Sequence, residues 1–200
     1  MSTQTSQPAI LVLGGTGTVG SRLVRQLTSP SHATHTVLVA SRNGTSSPRP
    51  QPQQQEPEQD QPPRLQHIPF DWQNTDTWSN PWGSTSTTSS STTTPTSTTI
   101  SAVYLIAPPT LKSDSLMTEF VDFARARGVR RFVLQSASPI EAGGPAMGKV
   151  HGYLRELGQR GEVEWAVLRP TWFQRKFFFP PLPFSDVLSW VVGCVGCRES

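Results

Sequence analysis

The sequence contains no apolar run near the roughly 18 residues that a membrane span requires. The longest candidate, Phe177 to Val195, is broken by prolines and by Ser185 and Asp186. No membrane partner is therefore expected. The first residues, MSTQTSQPAILVLGG, have no basic start and no long apolar core, so they read as the entry to a strand and not as a secretion signal. A cytoplasmic location is the expectation. Cysteine is scarce, with only Cys194 and Cys197 in a CxxC spacing. No second pair and no neighbouring histidine accompany them, so no metal site is expected. Charge of one sign is also scarce, the net value being +3. The densest basic group is Arg125, Arg127, Arg130 and Arg131. No aromatic residues interleave with it, which argues against a nucleic-acid surface. It reads as a helix end whose cations meet the negative end of the dipole.

Hydrophobic residues make up only 34% of the 200, and prolines number 19. The prolines and the Ser/Thr/Gln runs account for the low hydrophobic fraction, and two stretches are of low complexity. Residues 43–63, NGTSSPRPQPQQQEPEQDQPP, offer no face to bury, and residues 83–99 are almost wholly Ser and Thr. Both read as disordered inserts between elements, where long surface loops are tolerated. About two thirds of the chain remains for the fold on this composition.

That remainder alternates strand and helix. Residues 9–13, AILVL, form a short apolar run bounded by glycines, as a buried parallel strand should. Residues 18–28 follow with Val19, Leu23, Val24 and Leu27 at helical spacing. Further strands are expected at 36–40, 65–70, 100–107, 130–138 and 162–170. Further helices are expected at Ser115 to Arg127, ended by Gly128, and from about Ala146 to Gln159. On the first of these, Leu116, Phe120, Phe123 and Ala124 fall on one side. The repeated unit implies an α/β, Rossmann-like, doubly wound parallel sheet of six strands, spanning residues 9–173 as one nucleotide-binding domain. In such sheets ligands bind beyond the carboxyl ends of the strands.

The first strand runs into LVLGGTGTVGSRLV, a GxxGxxG pattern of Gly14, Gly17 and Gly20 that opens a helix. The first glycine permits the turn, the second lets backbone approach a pyrophosphate, and the third lets helix and strand pack closely. N–H groups of Gly14, Gly15, Thr16, Gly17, Thr18, Val19 and Gly20 are the candidates to meet phosphate charge. After the second strand, enzymes that take NAD usually carry an acid for the ribose hydroxyl. This chain has Ser41 and Arg42 instead. A guanidinium pairs two-pronged with a 2′-phosphate, so NADP(H) is the expected cofactor. Asp71 and Trp72 follow the third strand where an adenine would lie; Trp72 serves equally well as a cover for the core. Ala107 and Pro108 end the fourth strand, as dinucleotide contacts or as a plain turn.

The segments VLGGTGTVGSRL, ARGVRRFVLQSAS, GGPAMGKVHGYL and AVLRPTWF together resemble the NmrA-like branch of the atypical short-chain dehydrogenases/reductases. Within that branch they are most similar to fungal ergot-alkaloid reductases of the festuclavine/agroclavine dehydrogenase type. The resemblance covers about Ile10 to Phe173, apart from the two inserts. It implies an NADPH-dependent oxidoreductase that reduces a cyclic iminium of clavine type, formed from a secondary amine and an aldehyde. It also implies that Lys149 binds the nicotinamide ribose. Short-chain dehydrogenases commonly place a catalytic tyrosine four residues before that lysine; here the position holds Pro145. A ketone needs an acid because hydride addition makes an alkoxide. An iminium already carries the charge, so no catalytic proton donor is expected. Ser136 and Ser138, after the fifth strand, are then turn residues or nicotinamide contacts. His151 and Tyr153 are weak substitutes for the acid, Tyr153 because it lies beyond the lysine.

Residues 174–200 depart from the family pattern, and the substrate lobe that the resemblance implies is expected to be missing. The expectation is a C-terminally truncated chain whose cofactor half outlasts its catalysis. Two other readings accompany the enzyme: an NmrA-like NADP-binding sensor or regulator without turnover, and an inactive fragment.

Overall fold

The structure is a computed structural model that describes residues 8–30, 35–42, 44, 65–83, 98–110 and 112–170. Most of both inserts, the tail 171–200 and the two cysteines lie outside the described residues. Six strands form one parallel sheet: β1 (Ala9–Leu13), β2 (Thr36–Ser41), β3 (Leu65–Pro69), β4 (Ile100–Leu105), β5 (Arg131–Gln135) and β6 (Glu164–Leu168). Their order is β3-β2-β1-β4-β5-β6, the order of the Rossmann sheet. The helices are α1 (Gly20–Leu27), α2 (Ser113–Arg125) and α3 (Met147–Gln159). The chain packs as two units, Met1–Ser101 and Ala102–Ser200.

In the first unit β1 is buried at all five positions, which is why its sequence is apolar without alternation. It pairs with β2 from Ala9↔Thr36 to Leu13↔Ala40, and β2 pairs with β3 from Val37↔Leu65 to Ser41↔Pro69. Helix α1 buries Gly20, Leu23 and Leu27; Val19 and Val24 are only half-buried. The chain leaves β3 through a 3-10 helix, Thr75–Trp82, capped by the Asn74 side chain. The sequence pattern gave no sign of this element. Trp, Asn and Pro follow one another there without a 3.6-residue period, so only short i→i+3 turns close.

In the second unit β4 pairs with β5 from Ala102↔Arg131 to Leu105↔Leu134, and β5 with β6 from Arg131↔Glu164 to Gln135↔Leu168. Helix α2 buries Met117, Phe120, Val121 and Ala124. The expected stripe of Leu116, Phe120, Phe123 and Ala124 is therefore rotated, with Leu116 and Phe123 half-buried. The Arg127 guanidinium accounts for part of the shift: it lies 3.4 Å from the Phe123 ring centroid and donates to the Phe123 carbonyl. That donation is the helix-end role expected for the basic group. The other three arginines find local acceptors: Arg125 pairs with Asp122 and Glu162, Arg130 donates to the Glu162 carbonyl, and Arg131 pairs with Glu164.

Several elements are shorter than the sequence suggested. β4 stops at Leu105, because Pro108 and Pro109 cannot donate to a ladder. β5 ends at Gln135, although Ser136 N–H and Ser138 N–H still donate to the carbonyls of Leu168 and Pro170. Helix α1 starts at Gly20 and not at residue 18, since the glycine turn occupies the preceding positions.

Candidate functional site

The glycine turn of the first unit is built for close approach. Gly14 has φ 65°, a conformation in which a Cβ would be strained. Its carbonyl accepts from Gly17 N–H at 2.9 Å, which closes the turn. A Cβ on Gly20 would lie 2.3 Å from the Gly14 oxygen and 2.7 Å from the Gly15 Cα. The third glycine is thus required by packing, as its position in the pattern implies. Gly17 differs. A Cβ there would meet only the Gly14 oxygen, at 3.1 Å, with nothing else within 4 Å. Packing alone scarcely demands glycine at 17, whereas a ligand lying over the turn would.

Helix α1 begins with Val19 as its cap residue, without a side-chain capping bond and without an acid in its first turn. Ser21 N–H donates to Gly17, and Arg22 and Leu23 N–H to Val19. Among the described residues nothing accepts from the N–H groups of Thr16, Thr18 or Val19. Thr16, Gly17 and Thr18 are exposed. An uncapped helix start with exposed donors and no acid is electrostatically suited to an anion.

Arg42 stands directly after β2, exposed, with no hydrogen bond or ion pair among the described residues. The neighbouring Ser41 hydroxyl is buried and has no hydrogen-bond partner among the described residues. No carboxylate occupies the end of β2. After β3, Asp71 sits in a side-chain-closed turn: its Oδ1 accepts from Gln73 N–H at 3.0 Å, and its carbonyl accepts from Trp78 Nε1 at 3.2 Å. Trp72 is half-buried and meets Phe70 and Trp78 edge-on, with centroids 5.3 and 6.3 Å apart. The first unit therefore carries the glycine turn, Arg42, Asp71 and Trp72.

The second unit carries Ala107, Pro108 and Lys149. Ala107 is half-buried and Pro108 buried, past the end of β4. Two hydroxyls of this unit, Thr110 Oγ1 and Ser136 Oγ, are buried without a hydrogen-bond partner among the described residues, and Ser136 is 8% exposed. Thr110 escaped the sequence reading because a lone Thr after APP carries no motif.

Lys149, in the first turn of α3, extends to Asp114 of α2, with Nζ 2.8 Å from Oδ2. It is neither buried nor directed only at water: its side chain is 64% exposed and that of Asp114 19%. The lysine's hydrogen bond lowers the Asp114 carboxyl below its ordinary range, and burial opposes this. The contribution of the pair is therefore complete above the ordinary carboxylate value and fades only as pH falls through the lowered one.

The start of α3 is held from behind. A Cβ on Gly148 would lie 2.4 Å from the Glu141 oxygen, and Gly143 N–H donates to the Gly148 carbonyl at 2.7 Å. The glycines of GGPAMGKVHGYL thus seat the preceding loop against the helix. Arg169 anchors the same loop through an ion pair with Glu141 and a 2.6 Å bond to the Ser138 carbonyl. The cap residue Ala146 carries the cost, with φ 49° and ψ −113°. Replacing it with glycine, Ala146→Gly, should raise stability by about 1 kcal/mol, the strain relieved less the added unfolded-state entropy. A urea midpoint that falls on this substitution would contradict the strain.

Neither tyrosine of the sequence offers a free phenol. Tyr104 is 2% exposed in β4 and donates to Gln135 Oε1, and burial raises its pKa. Tyr153 donates to Asp122 Oδ1 of α2, and burial followed by that carboxylate raises its pKa as well. His151 packs against the Trp165 ring at 5.3 Å. Among the described residues no group of three His, Cys, Asp or Glu side chains could hold a metal, and no helix is long and apolar enough to cross a membrane.

No protein-family profile matches the chain. Among curated proteins it is 40% identical over 172 residues to festuclavine synthase II of Penicillium roqueforti, covering 86% of this chain and 50% of that protein. It is 33% identical to agroclavine dehydrogenase of Claviceps purpurea, covering 84% and 48%. Among solved structures, the Citrobacter sp. triphenylmethane reductase complexed with NADP(H) shares the fold. Its TM-score is 0.53 at 14% identity, over 84% of this chain and 51% of that one. The chain spans about half the length of the curated relatives it matches. Over the aligned residues it is similar to the festuclavine synthases and agroclavine dehydrogenases.

Proposed function

We propose that the chain binds NADP(H) and forms the cofactor-holding part of a reductase acting on a cyclic iminium of clavine type. The observation that carries the cofactor assignment is Arg42. It is an exposed guanidinium, unpaired among the described residues, at the strand end where an acid would select NAD. The Gly20 contact with Gly14 and the uncapped start of α1 fit the pyrophosphate, since they bring unpaired N–H groups to an open surface. Asp71 keeps Oδ2 available for an adenine amine while Oδ1 closes its own turn. In the second unit, Lys149 would hold the nicotinamide ribose, and Ala107 and Pro108 would line the dinucleotide path. The Ser136 and Thr110 hydroxyls are buried in this unit without partners among the described residues.

When bound, the reduced cofactor supplies hydride. The protein's task is then to bind, orient and exclude water. A ketone would also require a proton at the developing alkoxide. An iminium becomes a neutral amine on hydride addition and requires none. The two engaged tyrosines and Pro145 match that lesser demand. The relatives' names, festuclavine synthase and agroclavine dehydrogenase, point to the same substrate class.

The test is NADPH consumption by a full-length version of the protein with a cyclic iminium, against a matched ketone. The reading expects turnover with the iminium and none above background with the ketone. Equal turnover of the two would overturn the acid-free reading. Tight NADPH binding without iminium turnover would instead favour a cofactor-binding sensor, which the missing phenol also permits.

A further inference from the structure

The family resemblance implies a ligand for Lys149 but no protein partner. The structure supplies one. Asp114 Oδ2 lies 2.8 Å from Lys149 Nζ, across from the second position of α2 to the first turn of α3. The carboxylate is the more buried member, and it sits in the first turn of its helix, where the dipole favours negative charge. The contact is not a chance meeting of two loose side chains. The same two helices are tied again by Tyr153 donating to Asp122, eight residues further along α2. The backbone under Lys149 is fixed by the loop seated on Gly148.

We propose that Asp114 is a positioning residue for Lys149, occupying one N–H of the ammonium and leaving two for a vicinal ribose diol. An ammonium has three donors on a flexible four-carbon stem. A free lysine would lose rotamer entropy on binding a ligand, and one already held by a carboxylate has lost much of it beforehand. The cation is also unfavourable at the start of α3, and the carboxylate offsets that repulsion. This inference rests on the nicotinamide-binding reading and adds to it the residue that aims the ribose contact.

The test compares two ligands: NADPH, and adenosine 2′,5′-bisphosphate, which keeps the adenine, the 2′-phosphate and the adenosine 5′-phosphate but has neither the second pyrophosphate phosphate nor the nicotinamide ribose. Asp114→Asn should weaken NADPH by about fivefold, the upper range for a part-exposed ion pair, and leave the bisphosphate unchanged. Asp114→Glu should recover part of the loss. In a Lys149→Ala background, Asp114→Asn should change NADPH affinity no further, because the two act as one unit. Equal weakening of both ligands would mark a merely structural role and overturn the proposal. So would unchanged or tightened NADPH binding in Asp114→Asn. If the unsubstituted protein bound neither ligand, the nicotinamide reading itself would fall, and this inference with it.

Discussion

Arg42→Ala should weaken NADPH binding by roughly 10- to 100-fold, the equivalent of the about 1.5–3 kcal/mol that charged hydrogen bonds contribute. NADH, which lacks the 2′-phosphate, should change by no more than about twofold, since the loss falls on the phosphate bonds alone. The asymmetry follows from the position of the guanidinium. It is exposed, follows β2 directly, and has no ion pair among the described residues to restrain it. Arg42→Lys should recover only part of the loss, because an ammonium keeps the charge but not the two-pronged geometry. The readout is a pair of titrations for each variant. Equal losses for NADPH and NADH would remove the phosphate assignment while leaving the glycine turn in place.

The second large effect separates two glycines that look alike in sequence. Gly20→Ala should cost about 3 kcal/mol, the upper range for overpacking, because the new Cβ meets backbone that cannot yield. The clash is with the Gly14 oxygen at 2.3 Å and the Gly15 Cα at 2.7 Å. Gly17→Ala should cost under about 1 kcal/mol, since a single 3.1 Å contact can relax. NADPH affinity should nevertheless fall by about tenfold in Gly17→Ala, as the methyl stands where the pyrophosphate must approach the backbone. Urea midpoints and NADPH titrations on the two variants give the four numbers required. A Gly17→Ala protein that bound NADPH normally would show that the turn's open N–H groups face no phosphate.

The sheet was legible because buried parallel strands are written as short apolar runs, and AILVL is buried at every position. The turn at Gly14 and the close packing at Gly20 were legible because both are backbone roles tied to fixed spacing. The stripe of α2 was read one step out of phase. Phe123 was counted as core, but its half-exposed ring carries the Arg127 guanidinium, while Met117 and Val121 take the interior. The 3-10 helix Thr75–Trp82 was not legible, since its order depends on Asn74 capping and on Trp78 donating to Asp71. Asp114 was missed for a different reason. Thirty-five positions separate it from Lys149, and no spacing rule connects them before α2 and α3 pack. The strain at Ala146 was equally hidden. A proline–alanine step in sequence does not disclose that the loop before it must fit beneath Gly148.

The glycines of GGPAMGKVHGYL therefore serve packing as much as chemistry. Gly148 admits the Glu141 carbonyl, and the segment gains a fixed start to α3. That start places Lys149 where Asp114 can hold it. The missing phenol belongs to the same arrangement. Both tyrosines are committed to neighbours, one inside the sheet and one between α2 and α3. The proposed iminium reduction, whose product is a neutral amine, would need nothing from them.

The claim on which the rest stands is that this fold holds a nicotinamide dinucleotide by its 2′-phosphate. A titration of the purified protein with NADPH and with NADH, followed by nicotinamide fluorescence, tests it most directly. The account predicts saturable binding of both, with NADPH tighter by roughly 10- to 100-fold, the contribution of the guanidinium–phosphate bonds. Equal affinity for the two, or a preference for NADH, would contradict it.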